Sequence, residues 1–286
     1  DLCLANAGTR GLKYEIYLSD KADSPKAKTA LFATGYNHNG QLGDGSTTSR
    51  KVPVEILADA KKITLGFNHT MVIKEEGSLW AMGCNSNGEF GNGRSDYRQT
   101  TPVEIFDKGI QNVTAGGHHT MVLKEDGSLW GMGYNSHGQL GDGSTTTRKN
   151  PVKVFDKGIK NVAASVYHTM VLKEDGSLWA MGRNSYGQLG DGSTTTRKTP
   201  VKIFDKEIKN VATGHFHTMV LKKDGSLWAM GYNGYGQLGN GRSDYRQTTP
   251  VKIFDKGIKN VTAGAYHTMV LKEDGSLWAM GRNSYG

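Results

Sequence analysis

Short runs that alternate apolar and polar residues recur along nearly the whole chain. One unit holds Lys160–Ala164 (KNVAA), His168–Lys173 (HTMVLK), Ser177–Gly182 (SLWAMG) and Pro200–Phe204 (PVKIF). A period of two marks a strand with one buried face, so these runs are read as strands a, b, c and d. Strands b and c are joined by KEDGS, whose Asp-Gly is a tight-hairpin signal. A short FDKGIK turn joins d to the next a, whereas the c–d connection, residues 182–199, is long and rich in Gly, Ser, Thr and Asn. No segment keeps a helical period over a useful length. Four short strands in each repeat predict an all-β chain of propeller blades.

The repeat is registered by single residues. All five Trp share one slot on strand c: Trp80, Trp130, Trp179, Trp228 and Trp278. His69, His119, His168, His217 and His267 share another, each followed by Thr, and Pro53, Pro102, Pro151, Pro200 and Pro250 a third. The period is 49 to 50 residues; the difference of one lies between the loop GDGSTTTRK (141–149) and the longer GNGRSDYRQT (91–100).

The N-terminal part fits as a half-blade. Residues 14–19 match strand b and residues 30–35 match strand c, with Phe32 in the Trp slot and a polar hairpin loop over 20–29. Residues 1–11 differ in composition and are read as a leader or disordered end. Leu2-Cys3-Leu4 followed by Ala5-Asn6-Ala7 could also be the remnant of a secretory signal. Residues 282–286 copy residues 183–187, which Gln188-Leu189-Gly190 follow in the internal copy. The expectation is therefore a propeller over 12–286 with five complete d-a-b-c blades plus a b–c half-blade, a fragment of a six- or seven-bladed ring.

Composition narrows the function classes. Apolar residues are 36% and mean hydropathy is −0.53. No stretch approaches the roughly 18 apolar residues of a membrane span, so membrane insertion is not expected. Glycine, at 39 residues, lacks a Gly-X-Y period, and 25 aromatic residues argue against disorder. Cys3 and Cys84 are too few for a disulfide scaffold or a cysteine-rich zinc site. A net charge of +8 favours acidic partners in general.

The repeated residues have structural readings. Trp and the Met two positions on (Met82, Met132, Met181, Met230, Met280) share a strand face, and buried packing between blades is expected of both. The recurring His is expected to be tied to backbone groups of the next blade rather than to a metal, since a zinc site needs converging ligands. The Gly-Asp-Gly loops lack the Lys of a phosphate loop and the ligand series of a calcium hand. Asn92 and Asn240 replace Asp in two copies, so a turn role is preferred. No nucleophile–base pair, Gly-x-Ser-x-Gly elbow or His-Glu-x-x-His motif stands out, and no catalytic residue, metal or cofactor is assigned.

With Gly-x-Asn-x-x-Gly-Gln-Leu-Gly after the Trp strand (Gly182 to Gly190) and Ala-x-x-x-x-His-Thr before strand b, the units resemble repeats of the regulator of chromosome condensation (RCC) family, in a bacterial-type tandem array. The resemblance covers residues 12–286 and implies a β-propeller, usually of seven blades. Members of that family include a nuclear guanine-nucleotide exchange factor that binds the nucleosome, ubiquitin-ligase modules, and a secreted bacterial propeller that inhibits β-lactamases. Exchange activity transfers poorly, because the exchange factor carries a protruding hairpin wedge and these repeats differ in length by one residue. Nucleic-acid binding is not expected either, because Lys and Arg are spread along the repeats without a basic tail.

The informative positions are those where the repeats disagree. The pair before His-Thr reads Phe67-Asn68, Gly117-His118, Val166-Tyr167, His215-Phe216 and Ala265-Tyr266. The slot after strand c reads Tyr36, Cys84, Tyr134, Arg183, Tyr232 and Arg282. Past a constant Asn come His38-Asn39, Ser86-Asn87, Ser136-His137, Ser185-Tyr186, Gly234-Tyr235 and Ser284-Tyr285. All lie in a–b or c–d connections, which leave an up-and-down blade at one end. At the other end, the b–c turn is nearly constant, and the d–a turn is read as constant apart from its first copy. Tyr, His, Asn, Ser and Arg in such slots resemble an adaptable recognition surface. The expected partner-binding residues are Phe67, Asn68, His118, Tyr134, His137, Tyr167, Arg183, Tyr186, His215, Phe216, Tyr232, Tyr235 and Tyr266. The expected role is a non-enzymatic scaffold for a protein partner or, second, a glycan, with placement outside the cell or in the envelope of a bacterium and nuclear or cytoplasmic placement as the alternative. Regulation of a small GTPase or of chromatin is the alternative that the family resemblance supplies.

Overall fold

The computed structural model describes residues 29–242 and 244–284 in full and the backbone of 4–7 and 14–20. The expected hairpin loop, apart from its end residues 20 and 29, lies outside the described residues, as do Tyr285 and Gly286. Every regular element among the described residues is a strand.

The chain divides into two compact units. The first holds residues 1–134 and 147–157, the second residues 135–146 and 158–286. In the first unit, one sheet orders β1 (Leu4–Ala7), β2 (Tyr14–Asp20), β3 (Thr29–Gly35) and β4 (Arg50–Ala58). The next two contain β5 (Ala60–Leu65), β6 (His69–Lys74), β7 (Leu79–Gly83) and β8 (Gln99–Phe106), then β9 (Ile110–Ala115), β10 (His119–Lys124), β11 (Leu129–Gly133) and β12 (Arg148–Phe155). The second unit continues with β13 (Ile159–Ala164), β14 (His168–Lys173), β15 (Leu178–Gly182) and β16 (Arg197–Phe204). A further sheet holds β17 (Ile208–Thr213), β18 (His217–Lys222), β19 (Leu227–Tyr232) and β20 (Arg246–Phe254). The last orders β21 (Ile258–Ala263), β22 (His267–Lys272) and β23 (Leu277–Gly281).

All neighbours in these sheets are antiparallel, and two sequence expectations are corrected by their pairing. Strands group as a-b-c-d, not d-a-b-c: c returns across the long loop to pair with d, as in Ala180↔Val201 and Gly182↔Arg197. The short d–a turn instead passes to the next sheet. The N-terminal half-blade is also a full four-stranded sheet, because β1, inside the stretch read as a leader, pairs with β2 through Leu4↔Tyr17 and Ala7↔Tyr14. Phe32 does take the Trp slot: it faces Glu55 on β4 as Trp80 faces Glu104 on β8.

Alternation sends successive side chains into different cores. Met71 and Ile73 on β6 join Ile110, Val113 and Met132 of the next sheet, whereas Val72 between them packs with Leu31 and Ala33 of the preceding one. The second unit repeats this with Met170 and Leu172 against Val211 and Met230. The loop after strand c adds a plug, namely Leu42, Phe90, Leu189 or Leu238, each fully buried or nearly so. Met82, Met132, Met181 and Met230 are fully buried, but the Trp on the same face are only half-buried and Trp278 is 49% exposed. Trp228 meets Phe204 of the preceding sheet at 6.2 Å, and its Nε1 donates to Ser226 Oγ at 3.1 Å. Lys222 lies over its ring at 4.9 Å.

The d–a turn is less uniform than the sequence reading has it. Gly109, Gly158 and Gly257 occupy a left-handed position there (φ 78 to 81°), and Asp59 and Glu207 take the same conformation at φ 61° and 68°.

Candidate functional site

The b–c ladder ends on His paired with Gly, as in His168↔Gly182 and His217↔Gly231. One step beyond, the variable slots meet. The backbone N–H of Cys84 donates to Asn68 O, Tyr134 to His118 O, Arg183 to Tyr167 O, Tyr232 to Phe216 O and Arg282 to Tyr266 O, at 2.7 to 2.9 Å. The a–b and c–d slots of each blade are therefore cross-strand neighbours.

The second c–d slot is fixed by the Gln of Gly-Gln-Leu-Gly. Gln139, Gln188 and Gln237 each accept, through Oε1, the backbone N–H of His137, Tyr186 or Tyr235 at 3.0 to 3.1 Å. The constant Asn closes the loop behind them. Asn184 Oδ1 accepts Leu189 N–H at 3.0 Å, and its Nδ2 donates to Asp191 at 2.8 Å. Asn233 makes the same bonds to Leu238 and Asn240, which supports the turn role of these loops. Burial pushes the Asp191 carboxyl up, but bonds from Arg197 and Ser193 outweigh it and hold it below the usual range. Gly187 shows why the first loop glycine is required: its φ is +77°, and a Cβ there would lie 2.5 Å from Thr248 Cα on the next sheet. Gly192 N–H also donates to Thr248 O at 3.0 Å, so each loop clasps the blade that follows.

In the second unit this scaffold joins the expected residues into one cluster. The c–d slot of each blade leans on the a–b slot of the next: His137 on Tyr167 at 5.4 Å, Tyr186 on Phe216 at 5.2 Å, and Tyr235 on Tyr266 at 5.6 Å. Tyr167 stacks on Phe216 at 5.4 Å, Tyr186 meets Tyr232 edge-on at 5.0 Å, and His215 meets Tyr266 at 5.7 Å. Arg183 lies over both Tyr167 and Phe216, at 5.3 and 5.4 Å. Such contacts fix the rings in place. All these residues are half-buried except Tyr235, which is 45% exposed. Tyr245, not among the expected residues, packs edge-on to Tyr232 at 5.0 Å and is 57% exposed. It lies in the one-residue-longer form of the c–d loop. Burial pushes the Tyr232 hydroxyl up, and His137 and His215 down, His215 to about 4.

In the first unit the expected residues form a smaller group. Phe67 meets His118 edge-on at 5.3 Å, and His118 meets Tyr134 at 6.5 Å. Asn68 contributes the carbonyl that accepts Cys84 N–H. Sequence reading missed Glu89, which stands in the Gln slot, is 1% exposed, and binds Asn87 through both oxygens. His118 Nδ1 lies 3.9 Å from it, but burial pushes Glu89 up and His118 down, and both shifts oppose an ion pair.

The His-Thr pairs work as ties between blades. His69, His168 and His217 bond through Nε2 to Thr120, Thr218 and Thr268 of the next blade at 2.9 to 3.1 Å. The partner is a hydroxyl, not the expected backbone group. Burial lowers the imidazoles of His69, His119 and His217 to about 3. Among the described residues no cluster of His, Cys, Asp or Glu is placed to share a metal ion.

Comparison with known proteins agrees with this architecture. Residues 26–207 match the sequence family described as the RCC1-like domain. Residues 224–271, and separately 208–237 and 258–286, match the regulator of chromosome condensation (RCC1) repeat. No curated protein matches the chain. Among solved structures, human WBSCR16 is similar with a TM-score of 0.82 and 21% identity, over 99% of this chain and 77% of that one. Yeast RCC1 (Prp20) in complex with Kap60 gives a TM-score of 0.76 and 25% identity, over 88% of this chain and 64% of that one. A second structure, of Prp20p from Saccharomyces cerevisiae, gives 0.77 and 25%, over 88% and 66%. The chain thus spans less than two thirds of the length of these Prp20 chains. With repeats matched along most of its length and a propeller fold shared with these structures, the chain belongs to the RCC1-like domain family.

Proposed function

We propose that this propeller is a non-enzymatic scaffold that binds a protein partner through the variable a–b and c–d slots. The observation that carries the reading is the connected cluster of the second unit, where slots from successive blades bring Tyr167, Tyr186, Phe216, Tyr232 and Tyr266 together half-exposed. Rings with polar tips, held by neighbours and by backbone bonds, offer contact area at little entropic cost. A protein partner is in keeping with the family: yeast RCC1 is bound to Kap60 in one structure, and Prp20p is described with its binding to Gsp1p and histones.

The test is capture of a partner by the full chain and by a variant with Tyr134, Tyr167, Tyr186, Phe216 and Tyr232 changed to Ala. The partner is expected to be lost with the rings, and undiminished capture overturns the assignment. The second reading, regulation of a small GTPase, rests on the likeness to yeast RCC1. It predicts stimulated nucleotide release from a small GTPase, which the scaffold reading does not.

A further inference from the structure

Arginines at the c–d loops have two fates in the second unit. In the loop with Asp191, Arg197 pairs through Nε with that carboxylate at 2.6 Å. In the next blade the Asp position holds Asn240, which still closes the loop through Asn233 but carries no charge. Arg246, one residue before the ladder position equivalent to Arg197, is left without that carboxylate. It turns to the preceding blade, where Nη1 donates to Ser185 O at 3.4 Å. Arg183 reaches the same residue, its Nε donating to Ser185 Oγ at 2.9 Å. Two guanidiniums thus converge on Ser185, and neither meets a carboxylate among the described residues. Like charges brought together repel unless an anion joins them.

We propose that Arg183 and Arg246, framed by Tyr186 and Tyr232, receive the carboxylates of an acidic segment of a partner protein. The inference rests on the reading that this face binds protein, and adds the chemistry of what is bound. Guanidinium forks match carboxylates in geometry and charge. Hydroxyl-tipped rings beside them suit a peptide backbone and its aliphatic side chains. A nucleic acid fits less well: Tyr186 meets Phe216 at 70° and Tyr232 at 60°, and Tyr232 meets Tyr245 at 90°, so beyond the one stacked pair of Tyr167 and Phe216 these rings offer no series of parallel faces for bases. Its affinity also rests on many phosphate contacts, whereas here two guanidiniums converge on one residue.

The test titrates the full chain with three fluorescein-labelled probes, read by anisotropy. They are a twelve-residue peptide rich in Glu and Asp, the same peptide with Gln and Asn in their place, and a twelve-nucleotide thymidine strand. The acidic peptide is expected to bind at least tenfold tighter than its amide counterpart, and R183Q/R246Q to erase that preference. R183K/R246K, which keeps the charges, should retain part of it, and the exposed R246Q alone should cost at least threefold should the double variant fail to fold. Equal affinity for the two peptides, no peptide binding, or tighter binding of the thymidine strand overturns the inference. If both peptides bind equally and Y186A/Y232A abolishes both, only the acidic preference falls and the protein-binding face stands. If Y186A/Y232A changes no affinity, the face reading falls too.

Discussion

His217 donates its Nε2 proton to the hydroxyl of Thr268, 3.0 Å away on the next blade, and that hydroxyl donates in turn to Gln237 O at 2.8 Å. A hydroxyl has one proton, so its bond to the carbonyl obliges it to accept from the imidazole. The tautomer is thereby fixed, with Nδ1 bare. In His168 that nitrogen meets Ser165 Oγ at 2.7 Å, while in His217 it is buried with no partner.

The neutral imidazoles predict acid sensitivity. Burial lowers His69, His119 and His217 to about 3, against an ordinary value of 6.5. Between these values the unfolded chain binds more protons than the folded one, so stability is full above pH 6.5 and declines as pH falls toward 3. Each histidine contributes on the order of several kcal/mol over that range. Urea midpoints at pH 8, 6.5, 5.5 and 4.5 should fall slightly between the first two and steeply after. A flat profile down to pH 5 contradicts the neutral, buried assignment.

The bare Nδ1 predicts a difference between two small substitutions. A Cβ at Gly214 would lie 2.2 Å from His217 Cε1 and 2.6 Å from Gly264 O, so either side chain requires a local shift. Ser165 shows that the slot can accept a serine. Gly214→Ser adds a hydrogen bond worth about 1 kcal/mol to Nδ1, and Gly214→Ala does not. Chemical unfolding should find the Ser variant more stable than the Ala variant by about that amount. Equal stabilities would contradict the assigned tautomer.

Glu207 predicts a stabilising change. It holds a left-handed φ of 68° where Gly109, Gly158 and Gly257 have no Cβ to accommodate. Left-handed backbone costs a side-chain-bearing residue about 1–2 kcal/mol, partly offset by the extra freedom glycine has when unfolded. Glu207→Gly should raise stability by up to about 1 kcal/mol, and Gly257→Glu should lower it. Thermal melts of both variants decide the sign.

The loop network predicts unequal costs for two neighbours. Asn184→Ala leaves Leu189 N–H, which is buried, without its acceptor, and should cost about 1–3 kcal/mol. Asp191→Asn keeps the bond to Asn184, as Asn240 does for Asn233, and removes a pair with Arg197, whose guanidinium is 38% exposed and can turn to solvent. Its cost should stay below about 1 kcal/mol. Urea titration of the two variants orders them.

The repeat register, the strands and the end of the blade where variation collects were legible because period-two alternation runs along the chain and single Trp, His and Pro markers each recur five times. The blade boundary was not. Alternation says which face of a strand is buried but not which neighbour it pairs with, and the long c–d loop looked more like a break between blades than a return. Leu4–Ala7 was passed over because four residues without a repeat marker carry little signal. The Trp were expected deeper because their size suggests burial, whereas Met fills the fully enclosed position two residues on. Glu89 and Arg246 were hidden for other reasons: Glu89 is a substitution in a slot that otherwise reads as constant Gln, and Arg246 matters through a carboxylate that its own blade has lost.

The most direct test of a recognition face compares the two ends of one blade. A photo-crosslinking amino acid is placed at Tyr235, in the variable c–d connection, and separately at Lys223, in the nearly constant b–c turn, and the full chain is irradiated with its captured partner. The account predicts adducts from position 235 and none from 223. Equal yields, or adducts from 223 alone, would contradict it.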